Sequence, residues 1–373
     1  MARRWPRLEE LTVRWPDKAA LEALGAEAWA GLRSLRVKCS MFSNAQLDVP
    51  SARALAAALR RMPALRALEL THVGLSDEAF EALFCASSAE FVPQLRALSL
   101  QCNGPLHRIL ANVQLTPAAM RALAATGWRL EELDLHDNES MGAAGVAALV
   151  AAPTFALRRL NLALCGLDAA ALLSVANAPW PLEELDLLGN DLSAAAAGTA
   201  LAALSRHRGL RKLNLNCCRL SAAGFKALAE AAWPALTSLE AYKAEVTFSG
   251  PHALGAAAFA GFPALEEANF EAVPLGEAGA RLLASRRWAR LRKLDLRDAR
   301  LGDAGAAALA RGGWPALEEL NLIGNGLSDY NISTRLWAPA LKELHFEEGE
   351  TDSEAGEEGD AGGSDESDSA QSF

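Results

Sequence analysis

The sequence predicts an α/β solenoid of about 13 stacked units, in which the strands form one parallel sheet and the helices cover it. Two observations lead to this fold class. The pattern Leu-x-x-Leu-x-Leu recurs along most of the 373-residue chain, and roughly ten residues with the apolar spacing of a helix follow each copy. One such unit cannot bury its apolar face alone, so neighbouring units must stack.

The predicted strands lie at the leucine pattern, because its last two apolar positions alternate as in a strand with one buried face. Eight copies match fully, and they begin at Leu65, Leu95, Leu130, Leu157, Leu182, Leu210, Leu291 and Leu317. Five relaxed copies begin at Leu8, Leu32, Leu236, Leu265 and Leu341. The mean spacing of about 28 residues is enough chain for one strand, a turn and one helix.

Helices are predicted in the second half of each unit. Thr116 has the side chain of a helix N-cap, and Pro117 suits the first helical turn. Helical spacing of apolar residues also runs through 76–86, 221–232 and 301–310. We therefore expect one helix per unit, packed against the sheet.

Tryptophan and proline mark the junction between a helix and the next strand. Eight of the nine tryptophans precede a strand's first leucine by two to four residues, often as Trp-Pro. They are Trp5, Trp29, Trp128, Trp180, Trp233, Trp288, Trp314 and Trp337, and Trp15 is the exception. Proline stops the helix, and the aromatic side chain is predicted to cap the interior.

The strand-and-turn motifs resemble those of the leucine-rich repeat family, in its ribonuclease-inhibitor-like (GALA-type) subclass. The segment Leu187-Leu-Gly-Asn190-Asp-Leu192 is similar to the family's L-x-L-x-x-N-x-L, as are 133–138 and 322–327. The resemblance covers about residues 5–346. It implies a horseshoe with a parallel sheet on the concave face and helices on the convex face. The copies that begin at Leu8, Leu32 and Leu236 depart from the family by lacking Asn or Cys at the ladder position.

The cysteines favour a reducing compartment. Cys165 and Cys218 stand where the family allows Cys in place of Asn, so they are predicted to be buried thiols. Cys39, Cys102 and Cys217 come one position earlier and are predicted to be partly exposed. Six cysteines without a CxxC pair indicate neither a disulfide framework nor a zinc site. We expect an intracellular protein, in the cytoplasm or the nucleus.

The net charge of −10 is unevenly distributed along the chain and defines two regions. Residues 347–373 contain eleven acidic residues and no Lys or Arg, whereas residues 1–346 contain 36 basic and 35 acidic residues. We therefore predict a solenoid over 1–346 and a disordered acidic tail over 347–373. A nearly neutral body gives no indication of a nucleic-acid partner. No apolar stretch is long enough for a membrane span.

The concave face is the predicted binding surface. Over the strand positions that face outward we count 12 acidic and seven basic residues, so this face is mildly acidic. A solvated face explains such a surface, and so does a site for a partner protein with a basic surface. The candidate partner-binding residues are Glu132, Asp134, His136, Glu184, Asp186, Asn214, Tyr242 and Asp295. Interruptions of the repeat near 103–115 and 242–251 are further candidates.

No catalytic, metal or cofactor motif is present in the sequence. The six histidines have no metal-ligand spacing, and no G-x-S-x-G, P-loop or G-x-G-x-x-G occurs. We expect a monomeric, non-enzymatic interaction module with no cofactor. Two alternatives are a regulator similar to Ran GTPase-activating proteins, which also carry an acidic tail, and the substrate-recognition part of a ubiquitin ligase that lacks its F-box.

Overall fold

Thirteen short strands form a single parallel sheet whose order follows the chain. The structure is a computed structural model, and it describes residues 7–14, 16–27, 29–39, 46–84, 95–101, 115–244, 254, 257–328 and 338–346. The strands are β1 Glu10–Arg14, β2 Ser34–Lys38, β3 Ala67–Thr71, β4 Ala97–Ser99, β5 Glu132–Asp134, β6 Arg159–Asn161, β7 Glu184–Asp186, β8 Lys212–Asn214, β9 Ser238–Glu240, β10 Glu267–Asn269, β11 Lys293–Asp295, β12 Glu319–Asn321 and β13 Glu343–His345. Their number and positions confirm the prediction of about 13 units.

Within the described residues, ten α-helices alternate with these strands. They are α1 Lys18–Gly25, α2 Val49–Leu59, α3 Asp77–Phe84, α4 Pro117–Ala125, α5 Gly142–Val150, α6 Ala169–Asn177, α7 Ala195–Leu204, α8 Ala222–Glu230, α9 Gly276–Ala284 and α10 Gly302–Leu309. The predicted cap is confirmed, because the Thr116 Oγ1 accepts a hydrogen bond from the backbone N–H of Ala118 at 3.1 Å. Asp17, Asp48 and Asp168 cap α1, α2 and α6 in the same manner.

The strand leucines and the junction tryptophans form one continuous core. In each strand from β4 to β12 the central residue is buried and its two neighbours are more exposed. Trp29, Trp128, Trp180, Trp233, Trp288 and Trp314 are all buried, which confirms their predicted role. Three of them, Trp29, Trp233 and Trp288, donate the indole N–H to the carbonyl oxygen of a residue near the end of the preceding helix. Trp5, Trp15 and Trp337 lie outside the described residues.

A ladder of buried side chains links the turns that follow the strands. Asn190 donates Nδ2–H to the carbonyl oxygens of Leu162 and Leu187 at 2.9 and 2.7 Å. Its Oδ1 accepts from the backbone N–H groups of Cys165 and Leu167 at 3.2 and 2.9 Å. The side chain thus joins two adjacent repeats through backbone groups that water cannot reach.

Cysteine replaces asparagine in two steps of this ladder. The Sγ–H of Cys165 donates to the Leu135 carbonyl oxygen at 3.0 Å, and that of Cys218 donates to the Leu187 carbonyl oxygen at 3.1 Å. Both thiols are buried, as predicted, and burial raises the pKa of each to about 12. Cys217 is exposed, with a φ of 56°. Cys39 is half-buried, and Cys102 lies outside the described residues.

These cysteines are expected to differ in reactivity, because the thiolate is the nucleophile and only an accessible thiol can be alkylated. Brief treatment of the native protein with iodoacetamide should label Cys217 and leave Cys165 and Cys218 unmodified, as read by peptide mass spectrometry. Unfolding in urea should make all of these sites react. Rapid native labelling of Cys218 would contradict its place in the ladder.

Candidate functional site

Two columns of polar side chains cross the open, concave face of the sheet. Because alternate residues of a strand point to opposite sides, the first and third residues of each three-residue strand face outward. The first column contains Glu132, Arg159, Glu184 and Lys212 in adjacent strands, and the second contains Asp134, Asn161, Asp186 and Asn214. The parallel register places the members of each column side by side.

The second column is rich in Asp and Asn for a structural reason. Wherever Asp or Asn stands there, its side-chain oxygen accepts the backbone N–H of the residue two positions later, at 2.9 to 3.2 Å. These residues are Asp134, Asn161, Asp186, Asn214, Asn269, Asp295 and Asn321. Such Asx turns end the strand and start the turn that leads to the helix. Either amino acid meets this need, so the turn does not require the negative charge.

Opposite charges alternate in the first column from β5 to β8 and from β10 to β12, and they pair across strands. Arg159 contacts Glu132 on the neighbouring strand. Lys212 lies 3.1 Å from Glu184, and Lys293 lies 2.8 Å from Glu319. Two predicted partner-binding carboxylates, those of Glu132 and Glu184, therefore already have a cation within the sheet. Exposed pairs of this kind contribute about 0–1 kcal/mol each.

Three carboxylates of the second column make no ion pair within the described residues. Asp134, Asp186 and Glu240 occupy β5, β7 and β9, and neutral Asn161 and Asn214 stand between them. We call these three acids the carboxylate row. Strands are ~4.8 Å apart, so successive carboxylates of the row are roughly 9.6 Å apart.

The donors around the carboxylate row are neutral. Asp134 accepts from the side-chain amide of Gln101 and from the His136 N–H. Asp186 accepts from Asn214 Nδ2 at 3.2 Å and from the Leu188 N–H at 2.9 Å. These hydrogen bonds orient the oxygens but leave the negative charges uncompensated.

Partial burial of the carboxylate row has an electrostatic consequence. Desolvation raises the pKa of Asp134, and the opposing hydrogen bonds from His136 and Gln101 only reduce that shift. Desolvation also raises the pKa of Glu240, against the hydrogen bond from Asn269. A cation placed beside these groups would favour their charged form.

The row lies in a shallow groove of about 560 Å³ that crosses β2 to β9. Five of the eight predicted residues line it, namely Glu132, Asp134, Glu184, Asp186 and Asn214. Glu240 also lines the groove, and its place in the second column was the sequence signal that could have identified it. Leu133, Leu160 and Leu185, the central residues of three strands, also line the groove.

The other three predicted residues lie apart from this groove. Asp295 lines a smaller hollow of about 240 Å³ and is ion-paired with Arg297, whose Nη2 lies 2.8 Å away. His136 follows β5, and Tyr242 follows β9 with its ring under Lys243 Nζ at 4.9 Å from the ring centroid. Of the two predicted interruptions, near 103–115 and 242–251, residues 103–114 and 245–251 lie outside the described residues.

The described part of the chain contains no group of three or more His, Cys, Asp or Glu side chains arranged to hold a metal ion. None of the helices described is both long enough and apolar enough to span a bilayer.

A match to one protein family agrees with the architecture. Residues 208–229 and 291–310 match the family described as Leucine Rich repeat. The first segment covers β8 and all but the last residue of α8, and the second covers β11 and α10. No curated protein significantly matches the sequence. Among solved structures, the chain is similar to one described as a Rad7 and Elc1 complex in yeast, at 14% identity and a TM-score of 0.43, over 90% of this chain and 81% of that chain. The ordered 13-stranded parallel sheet with alternating helices is that of an α/β leucine-rich repeat solenoid.

Proposed function

We propose that this protein is a non-enzymatic interaction module whose concave groove binds a basic segment of another protein. The carboxylate row carries the proposal. Three negative charges face the groove and make no ion pair among the described residues, since the groove's own cations, Arg36, Arg159 and Lys212, pair with other carboxylates. Burial disfavours the charged form of two of the three acids. A partner that supplies cations would offset that unfavourable desolvation.

The spacing of the row restricts the partner segment. Residues in an extended chain advance about 3.3 Å each, so every third side chain recurs at roughly 10 Å. Residues in a helix advance 1.5 Å each, so every seventh recurs at about 10.5 Å. A segment lying along the groove with Lys or Arg at either spacing would place one cation near each carboxylate.

We further propose that the protein is a monomer of the ribonuclease-inhibitor-like subclass, located in the cytoplasm or nucleus, with an acidic segment over 347–373 that follows the solenoid over 1–346. The buried ladder around Asn190, Cys165 and Cys218 supports the subclass. Neither the Ran-regulator nor the ubiquitin-ligase alternative is favoured by a contact or cluster among the described residues.

The Asx turns make a sharp test possible, because Asn keeps the hydrogen bond that the side-chain oxygen accepts from the turn N–H while removing the charge. Gln removes the charge of Glu240 at nearly the same side-chain size. The variant Asp134→Asn/Asp186→Asn/Glu240→Gln is expected to weaken partner binding roughly 10–100-fold. Full-length wild-type and variant chains would be immobilised, and captured proteins would be quantified by mass spectrometry. The expected result is a defined set of proteins, rich in Lys or Arg, that the variant no longer retains.

A matched control removes three negative charges elsewhere. Asp17→Asn/Asp48→Asn/Asp168→Asn alters only helix N-caps, where Asn is as effective as Asp. In the wild type, the three Asp side chains accept hydrogen bonds from the backbone N–H groups of Ala20, Ser51 and Ala171. The control should retain the same partners as the wild type. Identical capture by all three proteins would overturn the proposal.

Binding of a basic segment is expected to weaken at acidic pH. The raised pKa values of Asp134 and Glu240 mean that these groups take up protons earlier, as the pH falls, than ordinary carboxyls do. The bound cation requires the ionised form, so binding releases protons and is lost as the pH falls through the raised pKa values. Titration of a captured partner from about pH 7.5 to about pH 5 should show this trend. The triple variant should lack it, and a pH-independent affinity in the wild type would contradict it.

A further inference from the structure

Arginines concentrate at the edge of the sheet where the chain enters the strands. The segments 205–211 and 285–292, which lead into β8 and β11, together contain seven arginines and no acidic residue. They are Arg206, Arg208, Arg211, Arg286, Arg287, Arg290 and Arg292. Cations near helix C-termini suit the helix dipole. That effect explains basic residues in general, but it does not explain a groove between them.

Two hollows meet at this edge and share Arg206 and Arg208. One, of about 630 Å³, lies against Trp180 and its flanking prolines and also reaches Arg211. The other, of about 530 Å³, continues past Pro234 to Pro263. We call the two together the arginine groove. It lies outside the concave face, so its occupant would not compete for the carboxylate row.

The loop that presents the arginines is held in place. His207 is buried, and its ring nitrogens lie 3.2 Å from the Trp180 carbonyl oxygen and 2.9 Å from that of Val175. Arg206 donates to Asn177 Oδ1. A loop fixed to the preceding repeat presents its cations at little further cost in conformational entropy.

The arginine groove has little charge compensation of its own. Arg208 and Arg211 are exposed and form no ion pair with the residues that the structure describes. Glu183 is the acid that lines the groove, and it is engaged by Arg158. An anionic occupant would therefore meet unpaired guanidinium groups, which suit carboxylates through paired N–H donors.

We infer that the arginine groove binds the chain's own acidic segment, residues 347–373. That segment has eleven carboxylates and no cation, so its charge is complementary to the groove. It follows Phe346, directly after β13. Five strand steps separate β13 from β8, roughly 24 Å along the sheet. Twenty-seven residues span at most about 90 Å, so the segment reaches the groove.

In this arrangement the chain's own acidic segment occupies the groove and competes with other anionic ligands. The tethered segment has an effective concentration on the order of 1 mM, so ligands that bind weakly are excluded and ligands that bind tightly displace it. Salt would release it, because exposed charges are screened beyond about 8 Å at physiological ionic strength.

The test uses full-length chains and a fluorescent synthetic peptide of sequence 347–373. In one chain, the eleven acids of 347–373 are replaced by the corresponding amides, which keeps length and leaves the groove open. By fluorescence anisotropy at low salt, the peptide should bind this amide chain about tenfold or more tightly than the wild type. Adding Arg206→Gln/Arg208→Gln/Arg211→Gln to the amide chain should abolish that binding.

A matched control removes three exposed cations that lie on helices α2, α4 and α8, away from the arginine groove. Arg53→Gln/Arg121→Gln/Lys226→Gln in the amide chain should bind the peptide as well as the amide chain alone. Equal binding to wild-type and amide chains, or equal loss in both triple variants, would overturn the inference. Tighter binding of a single-stranded oligonucleotide than of the peptide, lost in the Arg206/Arg208/Arg211 variant, would also overturn it, in favour of a nucleic-acid site.

Discussion

Replacing Asn190 with alanine is expected to lower the free energy of unfolding by roughly 3–5 kcal/mol. The change removes four hydrogen bonds at once, two donated to the carbonyl oxygens of Leu162 and Leu187 and two accepted from the N–H groups of Cys165 and Leu167. Asn190 is only 1% exposed, so water cannot replace the lost partners. The cost should appear as a lower midpoint in urea, followed by circular dichroism.

Two further variants distinguish the loss of the ladder hydrogen bonds from the effect of removing any asparagine side chain. Asn321→Ala removes an Asx turn on the open face, where Ile323 is exposed and water can satisfy its freed N–H, and should cost about 1 kcal/mol or less. Asn190→Cys retains a donor similar to that of Cys218 but loses the acceptor, so its cost should be intermediate. Equal midpoints for Asn190→Ala and Asn321→Ala would show that the ladder does not stabilise the stack.

Replacing Trp233 with alanine is expected to cost about 3–5 kcal/mol, as is usual when a large buried aromatic side chain is removed. Trp233 is 1% exposed and stacks on Phe262, with ring centroids 6.3 Å apart. Its Nε1–H donates to the Leu228 carbonyl oxygen at 3.0 Å, near the end of α8. Loss of this side chain opens the junction between two repeats, and the same urea unfolding experiment measures the effect.

A matched pair isolates the hydrogen bond from the packing. Trp233→Phe removes a bonded N–H, whereas Trp180→Phe removes an indole N–H that is buried without an acceptor. His207 Nε2 lies at the Val175 carbonyl oxygen, the position equivalent to that at which Trp29, Trp233 and Trp288 donate. Trp180→Phe should therefore cost about 1 kcal/mol less than Trp233→Phe. A larger cost at Trp180 would contradict this account.

The candidate site was only partly predictable. The second column is visible in the sequence because it follows from strand alternation, and it includes Asp134 and Asp186. Counting charges could not show that Glu132 and Glu184 are already paired with Arg159 and Lys212. The Asp and Asn residues of the column also have a local structural role, because they form the Asx turns. From the sequence alone, the same residues suggest a binding surface.

The sequence by itself determined the number of repeats, the position of each strand, the tryptophan junctions and the ladder of Asn190, Cys165 and Cys218. These features are periodic, and in a solenoid a residue's environment depends mainly on its place within its own repeat. The tertiary structure decided which charges remain unpaired and where arginines meet a groove. Those outcomes depend on lateral neighbours about 25–30 residues away, and repeats of unequal length bring such residues together only when the sheet is assembled.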